Sequence, residues 1–393
     1  MRTSLKGTLI GVVLLVSAGQ ALAYPPDNAA VFYYKAFLLH KEPSDAVDKM
    51  LKGQSDGNNG LNEQIRKYVE DNRKVINLIV TAAEIKNCDW GYDYSEGINL
   101  LMPELAKCRK LAFLLTADAK VLAEKGDYKT ALERCITIHK MGIHTGGDII
   151  IQQLVGSAIV GLADRCIAEI LPQASDDSET LQRLRTQLAD ISSKYHSILV
   201  AMGNEAALLN NETVTLNSSN KELILDAVRS SGSSKDNQDK AGKVIRQHDD
   251  NEFYARSTEY YKSVIPRIQI AYGLPFPQAK QAMGDLCKEV ENTAREKPEA
   301  VIAEVMLPMF DQSLMKDTRN KTQLNAVIAG IDIYIIRAKS GKMPDEIPAG
   351  LPKDMFSGKD FLYEKTGAGF TLTGQGKDLD KDVVQKYEFK LAK

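Results

Sequence analysis

Apolar residues recur at intervals of three, four or seven positions along most of this chain, and this periodicity limits the folds available to it. The clearest stripe has these members: Leu61, Ile65, Tyr68, Val75, Ile79 and Ala82. An α-helix displays such a stripe on one face and buries it against a neighbouring element. The sequence therefore predicts a mainly α-helical fold, an array of antiparallel helical hairpins that ends in a small C-terminal module of one helix and a β-hairpin.

Residues 1–23 have the three zones of a cleavable export signal. Arg2 and Lys6 precede an apolar run at residues 9–16, and residues 21–23 spell the small-x-small cleavage pattern Ala-Leu-Ala. The run is short for a permanent anchor, and no later stretch is long and uncharged enough to span a bilayer. We expect cleavage after Ala23, which leaves a periplasmic or secreted protein without a transmembrane segment.

The charges of the chain are nearly balanced, with 50 basic and 52 acidic residues. Removal of the signal takes away Arg2 and Lys6, which leaves 48 positive against 52 negative charges and a net charge of −4. Nucleic-acid binding requires a basic surface, so a weakly acidic chain predicts no nucleic-acid partner.

The five cysteines, at positions 88, 108, 135, 166 and 287, are too widely spaced for a CxxC redox or zinc motif. An oxidising compartment allows two disulfides at most, and a turn beside Cys88 would let it reach Cys108 on the next helix. Cys135 and Cys166 lie in apolar company within predicted helices, so we expect them to be buried as small hydrophobic side chains.

Turns and polar segments divide the chain into four parts. The signal peptide (1–23) is followed by an N-terminal helical domain (24–172) that ends at a Leu-Pro step. A second helical region (173–318) contains a segment at about 210–250 whose Asn, Ser, Asp and Lys content predicts a mobile polar loop. The C-terminal part (319–393) starts with a helix and continues with two alternating strands around a Gly-rich turn.

One turn in the N-terminal domain has the composition of a known repeat. Gly126-Asp127-Tyr128 is followed by Ala131-Leu132 at the start of the next predicted helix. This order resembles the middle of a tetratricopeptide (TPR) hairpin, a unit of about 34 residues that needs neighbouring repeats, yet the sequence contains only this copy. The resemblance implies a TPR-like hairpin, and an ordinary antiparallel helix pair explains the same residues.

The end of the chain combines turn residues in a distinctive order. A helix is followed by Gly-Lys-Met-Pro at 341–344, Asp-Met-Phe-Ser-Gly at 354–358, Tyr363 and an end rich in aspartate. Over roughly the last seventy residues this order resembles the soluble part of type II secretion pseudopilins. Pseudopilins assemble through an N-terminal hydrophobic helix that this segment lacks, so the resemblance implies a shared shape without the assembly role.

Three short segments give the mature chain a further resemblance. They are Asn-Ala-Ala at 28–30 with Phe-Tyr-Tyr at 32–34, Cys-Asp-Trp-Gly-Tyr-Asp-Tyr at 88–94, and Asp-Met-Phe-Ser-Gly-Lys at 354–359. Through them the chain is similar to a group of uncharacterised exported bacterial helical proteins. This similarity implies export and a helical architecture, and it implies no particular activity.

The most unusual local composition lies at residues 88–97, which we call the aromatic-acidic loop. It holds the only tryptophan together with tyrosines and carboxylates: Asp89, Trp90, Tyr92, Asp93, Tyr94 and Glu96. Aromatic rings stack on sugars or cations, and carboxylates accept hydrogen bonds from hydroxyl groups, so the loop is a candidate ligand-binding site. The alternative is that Trp90 and a tyrosine fill a gap between helices while the acids cap the next helix.

Cys135 and His139 are four residues apart and share a helical face, with His144 and Asp148 close behind. Such a set could hold zinc or pair a thiol with a base. Because only one such pair is present and two glycines interrupt the helix before Asp148, we interpret these residues as a packed cysteine and a hydrogen-bonded histidine.

Three aspartates near the C-terminus alternate as in the first half of a calcium-binding loop: Asp378, Asp380 and Asp382. That loop continues with glycine and ends with glutamate, but Val383 and Phe389 occupy those positions. The two interpretations are a weak calcium site and an exposed acidic turn, and no other cofactor is expected.

The sequence contains no Gly-rich phosphate loop, no G-x-S-x-G elbow and no H-E-x-x-H pair. The leading functional prediction is therefore a non-catalytic protein-binding or scaffold role in the cell envelope, with a protein partner on the concave face of the helical array. The alternative is a saccharide-binding protein or hydrolase that uses the aromatic-acidic loop.

Overall fold

The computed structural model describes residues 27–55, 60–94, 96, 100–194, 198–208, 221–230, 234–248 and 250–391. Over these residues the fold is mainly helical, with a small three-stranded antiparallel sheet at the C-terminal end. This confirms the mainly α class that the periodicity predicts. The expected signal peptide lies outside the described residues, and none of the helices among them is long and apolar enough to cross a membrane.

The helices fall into two consecutive groups. The first group is α1 (Ala30–Leu39), α2 (Asp45–Ser55), α3 (Glu63–Asp71), α4 (Arg73–Ala83), α5 (Pro103–Glu124), α6 (Tyr128–Thr145), α7 (Ile150–Ile170) and α8 (Ser178–Lys194). The second group is α9 (Ile198–Leu208), α10 (Lys221–Ser230), α11 (Lys235–Gln247), α12 (Asn251–Tyr272), α13 (Phe276–Glu296) and α14 (Val301–Ser340). The strands are β1 (Leu362–Thr366), β2 (Gly369–Asp378) and β3 (Val383–Lys390), paired in the order β1-β2-β3.

Helices α5, α6 and α7 pack together at the centre of the first group, with α1 and α4 on one side and α8 and α14 on the other. Between α5 and α6, Gly126 has a φ of 82°, which suits glycine, and Asp127 caps α6 by accepting a hydrogen bond from the Thr130 amide at 3.1 Å. This hairpin occupies the position of the expected TPR-like unit. A TPR-like arrangement of repeats stays a prediction.

Two glycines let α6 and α7 approach each other closely. A Cβ atom at Gly142 would lie 2.7 Å from Val160 Cγ2, and one at Gly156 would lie 2.5 Å from the Gly142 carbonyl oxygen. Any larger residue at either position would push the helices apart. The contact therefore fixes which residues of α6 face which residues of α7.

Helix α14 is a single helix of 40 residues that packs against α7, α8, α12 and α13. The sequence predicts two helices here, with a break near Met315 to Lys321. The structure differs because residues 316–320 are polar but include neither glycine nor proline, so nothing stops the helix. Residues of this polar stretch instead line the two cavities described below.

The segment at about 210–250, expected to be a polar loop, contains helices α10 and α11 within its described part. Leu225 and Val228 of α10 and Ala241 and Ile245 of α11 are buried in one small cluster that also includes residues of α12 and α14. Apolar residues at helical spacing bury that cluster, while the abundant polar residues occupy the outer faces. The sequence prediction of a loop considered only the polar composition of this segment and therefore missed its helical spacing of apolar residues.

The C-terminal sheet contains the predicted β-hairpin, because β1 and β2 pair antiparallel around the turn at residues 367–368. The structure adds β3, which pairs with β2 and places Phe389 opposite Phe370 with their rings stacked at 4.9 Å. Phe389 also packs against α14 at Gly330, and the Tyr334 hydroxyl of α14 donates a hydrogen bond to the Lys390 carbonyl. The sheet is therefore fastened to the last turns of α14.

Asp354 explains the Asp-Met-Phe-Ser-Gly segment that resembles pseudopilins. Its side chain is buried, and Oδ2 accepts hydrogen bonds from the Gln375 amide at 2.8 Å, the Gly376 amide at 2.8 Å and the Ser357 hydroxyl at 2.7 Å. Hydrogen bonds to an ionised acceptor are among the stronger ones in proteins. One carboxylate thus ties the loop before the sheet to β2.

We predict that Gly330→Ala destabilises the protein by about 1–3 kcal/mol, because the new Cβ would lie 2.3 Å from Phe389 Cε1 within a packed core. Urea unfolding followed by circular dichroism measures the change. Gly284→Ala in α13 is the matched control: its Cβ meets nothing within 4 Å, so it should be neutral or stabilising by up to about 1 kcal/mol. Equal stability of the two variants would contradict this account of the helix–sheet contact.

Candidate functional site

Trp90 of the aromatic-acidic loop is an anchor rather than an exposed platform. Its side chain is 7% exposed, and its Nε1 donates a hydrogen bond to the His144 carbonyl at 2.7 Å. Its ring stacks on Tyr33 of α1 with centroids 5.5 Å apart, and its own carbonyl accepts a hydrogen bond from the Tyr34 hydroxyl at 3.1 Å. The loop is thus fastened to α1 and to the end of α6.

The polar residues of the loop are divided between the interior and the surface. The Tyr92 hydroxyl donates a hydrogen bond to the buried Glu104 of α5, and burial raises the pKa of Tyr92 above its ordinary range. Burial also raises the pKa of the half-buried Tyr94. Asp89, Asp93 and Glu96 are exposed. Because the rings point inward and the acids outward, this arrangement favours the anchoring alternative, and ligand binding at the loop stays a prediction.

Asn28 holds Asp89, near the start of the loop, in place. Its Nδ2 donates a hydrogen bond to the Asp89 carbonyl at 2.7 Å, and its Oδ1 accepts one from the Asp89 amide at 2.9 Å. The same Oδ1 accepts a bond from the Ala30 amide at 3.0 Å, so one side chain joins the start of α1 to the loop. The Asn28 and Trp90 segments of the sequence are therefore parts of one structural unit.

Trp90→Ala should lower the free energy of unfolding by about 3–5 kcal/mol, because it empties a packed aromatic site. Acrylamide quenching of the single tryptophan should also be weak, since its ring is buried. Leu101→Ala, at a position that is 80% exposed, is the control and should leave stability almost unchanged. Strong quenching in the native wild-type protein would show that Trp90 is accessible and would restore the loop as a binding platform.

His144, beside Trp90, makes this region sensitive to acid. Its Nδ1 lies 3.0 Å from the Tyr33 hydroxyl, and burial lowers its pKa from the ordinary 6.5 to about 4. The unfolded chain takes up this proton below pH 6.5, whereas the folded protein does so only near pH 4. The unfolded state therefore binds more protons in this interval, so the stabilisation is complete above pH 6.5 and is lost as the pH falls.

We predict that this group contributes a loss of about 3 kcal/mol in unfolding free energy between pH 6.5 and pH 4. His144→Gln should flatten the curve of stability against pH over that interval, as urea titrations at several pH values would show. The same substitution at His248, which lies outside this cluster, should preserve the slope. An unchanged slope in His144→Gln would assign the acid sensitivity to other groups.

The three aspartates proposed as a weak calcium site each have a cationic partner. Asp378 is buried and accepts hydrogen bonds from Arg319 Nε at 2.5 Å and Nη2 at 2.8 Å. Arg319 also reaches Asp380 at 3.3 Å, and Lys377 Nζ lies 2.6 Å from Asp382. A calcium ion here would have to displace both cations. Over the described residues, no group of three or more His, Cys, Asp or Glu side chains is arranged to hold a metal.

A different pair of residues, His139 of α6 and Asp164 of α7, forms the most unusual polar contact in the described core. His139 Nε2 and Asp164 Oδ1 are 2.7 Å apart, and the two side chains are 1% and 0% exposed. The Gly142–Gly156 contact brings them together by drawing α6 against α7. Cys135, which shares a helical face with His139, lies instead in one apolar cluster with Cys166 of α7, and both thiols are buried as expected. All five cysteines are free thiols.

The His139–Asp164 pair is only half satisfied. Among the described residues, neither His139 Nδ1 nor Asp164 Oδ2 has a hydrogen-bond partner. Burial of an unpaired polar atom costs about 1–3 kcal/mol. A comparison within the protein is Asp118 of α5, whose two oxygens accept bonds from Arg73 and Arg134, both at 2.7 Å. Both oxygens of Asp118 are thus satisfied within the protein, whereas His139 Nδ1 and Asp164 Oδ2 are not, and their lack of partners needs an explanation.

The pair lines a cavity of about 230 Å³, which we call the dyad cavity. Its remaining lining is part apolar and part polar: Val160, Ile191, Asp317, Asn320, Lys321, Leu324 and Asn325. His139 Nδ1 and Asp164 Oδ2 have no hydrogen-bond partner among the described residues, and a carboxylate oxygen or an unprotonated ring nitrogen accepts hydrogen bonds. Hydroxyl or amine groups of a ligand can donate hydrogen bonds to these atoms.

Asn320 of α14 is held in a fixed position at the wall of the cavity. Its Nδ2 donates hydrogen bonds to the Ser157 carbonyl at 3.1 Å and to the Ser157 hydroxyl at 3.0 Å. Gly161 of α7 leaves room for it, because a Cβ there would lie 3.0 Å from Asn320 Oδ1. The residue after Asn320, Lys321, pairs through Nζ with Asp317, one turn earlier in α14, at 2.7 Å. The wall opposite His139 is thus preorganised and polar.

Comparisons with protein families, with curated proteins and with solved structures found no match for this chain. Its function is therefore argued below from the geometry of the dyad cavity and of the surface.

Proposed function

We propose that this protein binds a small polyhydroxylated molecule, such as a polyol or monosaccharide, in the dyad cavity. The observation that carries the proposal is a pair of buried polar atoms without a hydrogen-bond partner among the described residues, His139 Nδ1 and Asp164 Oδ2, on side chains that line a cavity. A ligand with adjacent hydroxyl groups can donate to both atoms at once. Hydrogen bonds made in a site shielded from water also give such recognition its specificity.

The lining supports a small ligand. Pockets for drug-sized molecules span about 300–1,000 Å³, and this cavity is below that range at about 230 Å³. Val160, Ile191 and Leu324 offer apolar contact for carbon–hydrogen faces, while Asn320 and Lys321 offer polar groups. This mixture of surfaces suits a sugar ring or a short polyol.

The proposal assigns ligand binding, rather than catalysis, to the dyad cavity. A histidine backed by an aspartate is the usual arrangement of a general base. However, the described lining of the dyad cavity contains no serine, threonine or cysteine to act as a nucleophile. Its second carboxylate, Asp317, is paired with Lys321.

A second proposed function is the protein-binding or scaffold role in the cell envelope that the sequence predicts. The observation that favours it is the outer face of α1, where Tyr34 is 41%, Leu38 86% and Leu39 55% exposed. Adjacent exposed apolar side chains are typical of surfaces that bind other proteins. Export to the envelope and a TPR-like arrangement of hairpins belong to this proposal. A Leu38→Gln, Leu39→Gln variant that retained every partner of the wild-type protein would contradict it.

We predict that glycerol, xylose or glucose shifts the imidazole nitrogen resonances of His139, assigned with a His139→Gln variant. Asp164→Asn exchanges the unused acceptor for a donor, so it should weaken binding of the responding probe by about tenfold to a hundredfold. Asp332→Asn is the matched control, because Asp332 also lies on a helix and pairs with Arg185 at 3.0 Å but does not line the cavity. The Asp332→Asn variant should bind the responding probe with the affinity of the wild type. Lack of any response, or equal binding by both variants, would contradict the proposal.

A further inference from the structure

A second cavity adjoins the dyad cavity and has a different chemistry. It has a volume of about 240 Å³ and shares Asp317 and Asn320 with the first. Its lining includes four cationic side chains: Arg165, Lys316, Arg319 and Lys381. Asp317 is the only carboxylate in the described lining. We call this space the basic cavity.

The positive charge of the basic cavity remains after its internal ion pairs are considered. Asp317 is paired with Lys321 at 2.7 Å, so it does not neutralise the cavity. Arg319 is balanced by Asp378 and Asp380. Lys316 and Lys381 form no ion pair with a described carboxylate within 4.0 Å. The lining therefore carries an excess of positive charge.

The three elements that contribute these cations are far apart in the sequence. Arg165 belongs to α7, Lys316 to α14 and Lys381 to the turn between β2 and β3. That turn is fixed by Asp378, which binds Arg319 of α14 and accepts a hydrogen bond from the Lys381 amide at 3.4 Å. The acidic turn that resembles half a calcium loop thus folds onto α14 and places Lys381 at the cavity.

We propose that the basic cavity binds a phosphate or carboxylate group of the same ligand whose hydroxyl groups occupy the dyad cavity. Guanidinium and ammonium groups are the usual protein partners of both anions. Asp317 and Asn320 line both cavities, so the two sites are immediate neighbours, and the proposal places one ligand across them. This inference rests on the proposed function and narrows the ligand to a phosphorylated or acidic sugar or polyol.

The test uses the full mature protein at low ionic strength, where charge interactions are least screened. Inorganic phosphate and acetate are titrated separately by isothermal calorimetry, so that the two anion classes are distinguished. The test variant is Lys316→Gln, Lys381→Gln. The control is Lys74→Gln, Lys288→Gln, which removes the same charge from exposed positions on α4 and α13 that do not line the cavity.

We expect phosphate or acetate to bind the wild-type protein and the control equally, and to bind the test variant about tenfold or more weakly. Equal binding to all three proteins would assign the effect to the general surface charge and overturn the inference. The inference would also be overturned if neither phosphate nor acetate bound to the wild-type protein.

A final arm separates this inference from the proposed function. Asp164→Asn, which keeps the His139 reporter, should retain its affinity for the free anion and show a weaker His139 response to glycerol, xylose and glucose. Anion binding that persists when the wild-type protein gives no response to the neutral probes would refute the polyol site alone. A polyol response without anion binding would refute the basic cavity alone.

Discussion

The contact between α6 and α7 at Gly142 and Gly156 determines much of this structure. Backbones that meet at this distance have one register, since a shift along either helix would place a side chain where only a hydrogen fits. That register aligns His139 with Asp164 and Cys135 with Cys166. The chemistry of the dyad cavity is therefore a consequence of two residues that have no side chain.

Helix α14 extends this local arrangement to the whole molecule. Its middle turns carry Asp317, Asn320 and Lys321 to the cavities, while its end supports the sheet through Gly330 and Tyr334. Buried apolar residues on either side of these middle turns pack α14 against its neighbouring helices. The polar stretch in the middle of α14 is partly exposed: Lys316 and Lys321 are exposed, while Asp317, Arg319 and Asn320 are half-buried.

Much of the fold was predictable from the sequence, because period and turn chemistry are local properties. The α5–α6 hairpin and the β1–β2 hairpin follow from Gly126-Asp127 and from the Gly-rich turn at 366–369. The site was not predictable in the same way. His139 was visible only as a neighbour of Cys135, and its actual partner, Asp164, is 25 positions away on another helix. Likewise, no local pattern shows that Arg319 neutralises Asp378, so the tail looked like a metal loop.

The Arg319–Asp378 ion pair has a consequence for the tail as a whole. Since the β2–β3 turn supplies part of the wall of the basic cavity, docking of the sheet and occupation of that cavity are linked equilibria. Any molecule that binds more tightly to the docked form must hold the sheet in place by the same free energy by which docking strengthens its binding. The C-terminal sheet, which resembles a separate module, is thus thermodynamically coupled to the helical part of the protein.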